Sequence, residues 1–187
     1  MLIIQEKIMK VTLLGAVIAF ILSSVFHEMY GIFGENYGVG LIFPVNESKW
    51  EHWKIVFWPM LLVGIFNYIL LRSEGHNILF ATAIAILVAE IVTFGLIELY
   101  EVITASHAMW IHIVSLLIGI VVGQLSSYWV MTATKLTQRV PLLVIGVAII
   151  LINIVILIAF TIKPPKTEYF KDSESGTYGI NREMINN

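Results

Sequence analysis

Five long apolar segments dominate this chain, and they restrict its fold more than any other feature. They span residues 11–30, 53–71, 78–100, 107–131 and 141–162. Each is close to the roughly 20 residues that a helix needs to cross the hydrocarbon core of a bilayer. Hydrophobic residues make up 58% of the chain and charged residues 13%, which leaves too little polar surface to cover five buried helices in water.

We therefore expect an all-α, polytopic membrane protein built as a bundle of about five transmembrane helices. The bundle would occupy residues 1–163, and residues 164–187 would form a polar C-terminal tail. The first segment follows Lys7 and Lys10 as a signal peptide would, but no A-x-A cleavage site follows it. We interpret it as a retained helix.

Several functional classes are excluded or disfavoured by composition and motifs. The chain has no cysteine, which rules out disulfides, thiolate metal sites and a cysteine nucleophile. A net charge of −2 without a basic tract argues against nucleic acid as a partner. The H-E-x-x-H, G-x-S-x-G and P-loop signatures are all missing from the sequence, so no established hydrolase or nucleotide motif guides the assignment.

Five spans place the two termini on opposite sides of the membrane, and the basic residues divide almost evenly between these sides. The amino-terminal side holds Lys7, Lys10, Arg72, Lys135 and Arg139, and the other side holds Lys49, Lys54, Lys163, Lys166 and Lys171. Because Lys49 and Lys54 belong to a polar block that has its own functional explanation, we expect the amino terminus to be cytoplasmic. The protein would then be a multi-pass cell-membrane protein with its polar cluster and tail outside.

Ionisable residues concentrate where the helices end on that outer side. The densest stretch runs from Pro44 to Lys54 and opens the second span. Histidines and carboxylates crowded at a membrane surface can form a metal site, an acid–base site or an ion entrance, although polar helix ends are also common in membrane proteins. Candidate catalytic residues are His27, Glu47, Glu51, His52 and Lys54; candidate ligand-binding residues include Glu28, Asn46, Glu98 and Glu101; candidate ligands for a divalent metal are His27, His52 and His112.

Helical periodicity directs two of these histidines into the bundle. Small residues recur every four positions before His27, namely Gly15, Ala19 and Ser23. His112 shares a helix face with the small-x-x-x-small pair Gly119 and Gly123. Such stripes allow close helix contact, so we expect both imidazoles to face neighbouring helices rather than lipid.

The polar block also has a structural interpretation, in two forms. Ser48 and Glu51 match an S-x-x-E capping box at the start of a helix. Alternatively Asn46 caps the helix, and Glu47 and Glu51 then share one face near its positive end. Neither form explains His52 or Lys54.

Two polar residues lie deep within the apolar segments. Glu90 is near the middle of the third span and Asn153 is near the middle of the fifth. A carboxylate at that depth must be protonated, hydrogen-bonded or part of an ion or proton path. Asn153 is more simply read as a hydrogen-bonding contact between helices.

The sequence resembles a family of small bacterial membrane proteins known only as a domain of unknown function. The stretches that carry the resemblance are His27 with its acidic and aromatic neighbours, Pro44–Lys54, Trp110–His112, Gly123–Gln124, and Phe170–Asp172 with Gly176–Ile180. In these relatives an acidic residue stands where this chain has His112. The resemblance implies a five-helix architecture with no established activity. It also implies that the tail folds back on the outer face, which adds Asp172 and Tyr178 to the ligand-binding candidates.

Three functions fit these observations. The first is an interfacial enzyme, with or without a divalent metal, that binds or processes a lipid head group or small amphiphile. The second is an ion or solute transport component that uses Glu90, in which case so small a bundle would act as a homo-oligomer. The third is an accessory subunit whose polar block only caps and anchors helices. The lipid bilayer is the expected partner in all three.

Overall fold

The computed structural model describes residues 2–133 and 140–180, and this part of the chain is helical with no strands. The helices are α1 (Leu2–Ile32), α2 (Tyr37–Gly40), α3 (Trp53–Leu71), α4 (Ile78–Thr104), α5 (Met109–Thr132) and α6 (Val140–Ile162), followed by a 3₁₀ turn at Glu168–Phe170. All but the short α2 are long and apolar enough to cross a membrane. The expected all-α class with five apolar helices is confirmed.

The helix bounds differ from the hydropathy segments mainly at the ends. Helix α3 coincides with the second segment, whereas α1 begins at Leu2 rather than at residue 11. The added turns of α1 carry the buried Ile8, which packs with Leu71 and Val130, so an apolar contact extends the helix beyond the hydrophobic run. Lys135 and Arg139, which entered the charge count above, lie outside the described residues.

Helices α4 and α5 form the closest pair in the bundle. A Cβ atom added to Gly123 would lie 2.6 Å from the carbonyl oxygen of Ala85, and one added to Gly119 would lie 2.7 Å from that of Ala89. Only glycine permits the two helix backbones to approach this closely, and this close approach is what the spacing of Gly119 and Gly123 in α5 predicted. Helix α1 packs on α3 and α5, and the Ser23 hydroxyl donates to the carbonyl oxygen of Ile55 at 2.6 Å.

Helix α6 is the least enclosed of the long helices and packs mainly along α4. Only Gly146, Leu157 and Thr161 are buried on it, and its remaining surface is rich in exposed aliphatic side chains such as Leu151 and Val155. This apolar exposure is the surface that hydrocarbon would cover in a bilayer.

The segment before α3 and the C-terminal tail meet over one end of the helix bundle. The Trp50 amide donates to the Tyr169 carbonyl at 3.2 Å, and the Trp50 ring packs against Phe160 and Phe170. The tail closes with a hydrogen bond from the Ile180 amide to the carbonyl of Thr161 at 3.0 Å. The polar residues singled out from the sequence lie in and around this junction.

Candidate functional site

A buried ion pair forms the base of the junction. Lys54 Nζ lies 2.7 Å from Glu51 Oε2, and both side chains are almost completely buried, at 0% and 1% exposure. Lys54 also donates to the carbonyl oxygens of Gly40 at 2.7 Å and Phe43 at 3.2 Å. All three ammonium protons therefore have acceptors, and the pair holds the segment before α3 against the helix itself.

The Glu51 carboxylate is saturated by further donors from other parts of the chain. It accepts from the amide of Val45 at 3.1 Å and from the hydroxyl of Thr161, on α6, at 2.8 Å. Glu51 and Lys54 were candidate catalytic residues, and the structure places both among internal partners that occupy their polar atoms. Thr161 had no signal in the sequence, because a contact between residues 110 positions apart leaves no local pattern.

The two capping schemes each contribute one hydrogen bond. Ser48 Oγ accepts from the Glu51 amide at 3.3 Å, as the capping box requires. The return bond is missing among the described residues, because Asn46 Oδ1 instead accepts from the Ser48 amide at 3.0 Å. The bond from Glu51 back to the Ser48 amide, which the first of the two interpretations requires, is thus replaced by one from Asn46, and both bonds lie in the turn before α3, which begins at Trp53. The Glu51 carboxylate lies instead against Lys54, the stronger partner in a buried setting.

Asp172 and Asn46 attach the tail to this segment. The Asp172 carboxylate accepts from the amides of Glu47 at 3.0 Å and Ser175 at 3.1 Å. Burial alone would raise the pKa of Asp172, but its hydrogen bonds from Ser175 and from backbone amides outweigh that effect and hold the pKa below its usual range. Asn46 Nδ2 donates to the Gly179 carbonyl at 3.3 Å. Tyr178, the other tail candidate, packs its ring against the Lys166 ammonium, 4.8 Å away.

Two side chains of the polar block, Glu47 and His52, and His27 of α1 remain partly exposed and converge on one point. The Nε2 atoms of His27 and His52 lie 3.3 Å apart, and Glu47 Oε2 lies 3.5 Å from the first and 3.4 Å from the second. Their side chains are 32%, 19% and 40% exposed for His27, His52 and Glu47 respectively. We call these three residues the His–Glu–His trio. They offer three ligand atoms within 4.8 Å of one another.

The hydrogen-bond partners of the two Nδ1 atoms indicate which ring nitrogen carries a hydrogen. His27 Nδ1 lies 2.9 Å from the Glu28 carboxylate, and His52 Nδ1 lies 2.7 Å from the Ser48 carbonyl oxygen. A carbonyl and an ionised carboxylate only accept hydrogen bonds, so each Nδ1 carries the hydrogen. With a hydrogen on each Nδ1, the Nε2 atom of a neutral ring presents a lone pair to the trio, whereas the Nε2 atom of a protonated ring donates a hydrogen bond to Glu47.

The carboxylate of the trio is held in its charged form. The hydrogen bond from His27 is the largest cause, followed by that from His52, and together they lower the pKa of Glu47 well below its usual range despite partial burial. An anionic oxygen thus faces two imidazole nitrogens at the exterior surface. This arrangement can bind a cation, transfer a proton or accept a hydrogen bond from a ligand.

A second polar group lies at the ends of α4 and α5. Lys49 pairs with Glu101 and with Glu98, the latter at 2.7 Å, and Glu101 also contacts His107 Nδ1 at 2.7 Å. His112 Nε2 lies 3.9 Å from Glu101, so the structure places this metal-ligand candidate in the second group rather than in the trio. Burial would lower the pKa of Lys49, but its bonds to Glu101 and Glu98 raise it above the usual range. Lys49 therefore links the segment before α3 to α4, a role that sequence spacing did not indicate.

Glu90 lies far from both groups, in the middle of α4. It is 1% exposed, and its Oε2 accepts from Asn153 Nδ2 at 2.8 Å. Its other oxygen, Oε1, is buried with no hydrogen-bond partner among the described residues. The two deep polar residues noted in the sequence are thus each other's partners.

A protein-family model described as "Family of unknown function (DUF6512)" matches residues 1–180. The chain therefore belongs to this family. No curated protein and no solved structure matches it. The family description carries no activity, so the function has to be argued from the geometry above.

Proposed function

We propose that this DUF6512 member is an integral membrane protein that binds the polar head of a lipid or similar amphiphile at the His–Glu–His trio. The observation that carries the proposal is that Glu47 differs from the other side chains of the polar block in the partners of its polar atoms. Four side chains use their polar atoms in internal hydrogen bonds, namely Asn46, Ser48, Glu51 and Lys54. The charged carboxylate of Glu47 instead lies partly exposed between two imidazoles. A role in helix capping would not account for the position of Glu47 between the two imidazoles.

The surroundings of the trio favour an amphiphile over a fully soluble ligand. His27 lies in the last turns of α1, a helix long and apolar enough to cross a membrane, with exposed aliphatic side chains such as Leu13 and Val17. A lipid bound here would place its head group against the trio and its chains along this apolar surface. Of the acidic ligand-binding candidates at this end of the bundle, Glu28 contacts His27, whereas Glu98 and Glu101 pair with Lys49.

Titration of delipidated protein with short-chain phospholipids tests the proposal. Dioctanoyl forms of phosphatidylglycerol, phosphatidylethanolamine and phosphatidylcholine would be compared by the thermal stabilisation that each gives in detergent. We expect at least one to stabilise the wild type at a concentration at least tenfold lower than it stabilises the His27→Ala/His52→Ala variant. His76→Ala is the matched histidine control, because His76 lies at the opposite ends of the helices. Equal titration curves for all three proteins would refute the proposal.

The orientation forms part of the same proposal. We place the amino terminus in the cytoplasm and the trio and tail outside, supported by Lys7, Lys10 and Arg72 on the amino-terminal side. Cysteine labelling can test this, because the chain has no native cysteine. An impermeant maleimide should label Ser173→Cys in intact cells and should leave Glu6→Cys unlabelled until the membrane is opened. The reverse pattern would invert the orientation.

A second function, ion or proton transport, is supported by one observation only: Oε1 of Glu90 is buried and has no hydrogen-bond partner in the part of the chain that the structure describes. A carboxylate oxygen without a donor at that depth is costly, and such groups often mark ion paths. Transport by so small a bundle would call for a homo-oligomer. Under this alternative, Glu90→Gln abolishes cation or proton flux into liposomes, and wild-type liposomes without flux would exclude it.

A further inference from the structure

We infer that the His–Glu–His trio binds one zinc ion in a tetrahedral site with three protein ligands and one open position. The ligand atoms are Nε2 of His27, Nε2 of His52 and Oε2 of Glu47. Their separations of 3.3, 3.4 and 3.5 Å form a nearly equilateral triangle. This proposal concerns the metal itself and stands whether or not a lipid binds.

The size of the triangle matches tetrahedral zinc. Zinc lies about 2.0–2.1 Å from imidazole nitrogen and about 2.0–2.2 Å from carboxylate oxygen. In a tetrahedron the distance between two ligands is about 1.63 times the metal–ligand distance, which gives about 3.4 Å. Neighbouring ligands of an octahedral ion at the same bond length would be about 3.0 Å apart. All three observed edges lie nearer to the tetrahedral value.

The hydrogen bonds behind the ligands favour a metal over a chance grouping. Each Nδ1–H is engaged, with Glu28 for His27 and with the Ser48 carbonyl for His52, so each Nε2 can offer its lone pair. Metal-binding histidines usually have a carboxylate or carbonyl partner of this kind, which fixes the ring and strengthens the ligand. Without a cation or a proton between them, two lone pairs and an anionic oxygen would face one another across about 3.4 Å.

The scaffold holds the ligands in place before any metal arrives. The Glu47 amide donates to Asp172, and the Lys54–Glu51 pair secures the segment that carries both Glu47 and His52. Only His27 comes from another element, α1. Two histidines, one glutamate and a partly exposed fourth position are the pattern of zinc sites that bind an exogenous oxygen, whereas structural zinc sites are closed by four protein ligands. If the proposed function holds, the fourth ligand is a head-group oxygen, and otherwise it is water.

Metal binding can be measured on the full chain purified in detergent without chelator. We expect one Zn²⁺ per chain by mass spectrometry, and after the metal has been stripped with EDTA and the protein dialysed, Zn²⁺ added back in competition with a chromophoric chelator should bind at the same ratio. His27→Ala, His52→Ala and Glu47→Gln should each weaken Zn²⁺ binding at least a hundredfold, and Glu28→Gln should weaken it about tenfold as a positioning change. The matched controls are His76→Ala and Glu6→Gln, which should bind as the wild type does.

Co²⁺ replacement reports the geometry independently of affinity. Tetrahedral Co²⁺ gives intense visible bands that octahedral Co²⁺ lacks, and these should appear in the wild type and be missing from the still-folded His27→Ala variant. Substoichiometric Zn²⁺, or equal affinity in His27→Ala and His76→Ala, would overturn the inference. If the wild type binds Zn²⁺ but none of the phospholipids, only the proposed function is refuted. If it binds a phospholipid but no Zn²⁺, only the metal site is refuted.

Discussion

The buried Lys54–Glu51 pair is the feature whose removal should damage this protein most. Lys54→Met keeps the length of the side chain and removes the charge and all three hydrogen bonds, to Glu51, Gly40 and Phe43. The Glu51 carboxylate would stay 99% buried with only the Val45 amide and the Thr161 hydroxyl as donors. A buried charge whose partner is lost is among the most destabilising single changes.

The expected cost is about 3–5 kcal/mol for Lys54→Met, the range found when one member of a buried pair is removed. For a chain of this size that corresponds to a fall in Tm of about 6–20 °C. The double variant Glu51→Gln/Lys54→Met leaves no charge at the position of this pair. It should therefore be more stable than the sum of the two single changes implies, by about 2–3 kcal/mol.

Thermal unfolding in detergent, followed by circular dichroism, measures all four members of this cycle. Lys7→Met is the matched control, since the Lys7–Glu74 pair has a contact of 2.8 Å, close to the 2.7 Å of Lys54–Glu51, but its side chains are 50% and 26% exposed. An exposed pair contributes about 0–1 kcal/mol to stability, so the Tm of the Lys7→Met protein should differ little from that of the wild type. A Lys54→Met protein as stable as Lys7→Met, or a double variant that equals the sum of its singles, would refute this account of the pair.

Three further predictions concern the tail and the membrane interior. Gly179→Ala should detach the tail and speed its proteolysis, because Gly179 has φ +61° and an added Cβ would lie 2.4 Å from the Thr161 carbonyl; Gly31→Ala, which meets nothing within 4 Å, is the control and should leave proteolysis unchanged. Asp172→Ala should detach the tail at neutral pH. Since the pKa of Asp172 is lowered in the folded chain, its stabilisation is present above the unfolded value of about 3.9 and is lost as the pH falls below it, so wild-type proteolysis should rise only in acid, and a flat pH profile would contradict this. Asn153→Leu should lower stability by about 1–3 kcal/mol by leaving the buried Glu90 side chain without its donor, whereas Glu90→Gln keeps an oxygen that can accept from Asn153 and should change stability by less than about 1 kcal/mol; equal Tm values for these two variants would count against this hydrogen bond.

The architecture was predictable because hydrophobic length is a local property of the sequence. The bounds of α3 follow directly from its apolar run, and the four-residue spacing of Gly119 and Gly123 anticipates the close α4–α5 contact. The amino-terminal turns of α1 escaped prediction because their burial depends on Leu71 and Val130, which lie far away in the chain.

The site was predictable as a location but not as a set of roles. Sequence placed His27, Glu47 and His52 on one side of the membrane together with Glu51, Lys54 and their neighbours. It did not indicate which residues would face inward, because that depends on partners such as Thr161 that come from distant segments. His112 illustrates the limit, since its helix face was argued from the spacing in α5, yet its nearest charged partner is Glu101 of α4.

The order in which the chain leaves the ribosome gives the Thr161–Glu51 contact a further meaning. Helix α6 and the tail are synthesised after every other described element, yet they supply the Thr161 hydroxyl, the Asp172 carboxylate and the Gly179 carbonyl that secure residues 45–51. Until α6 and the tail dock, Glu51 lacks one of its three donors and the Glu47 amide lacks its acceptor on Asp172. The surface that we propose to bind a ligand would therefore be completed only after α6 and the tail have docked, and a chain terminated before α6 would lack these three hydrogen bonds.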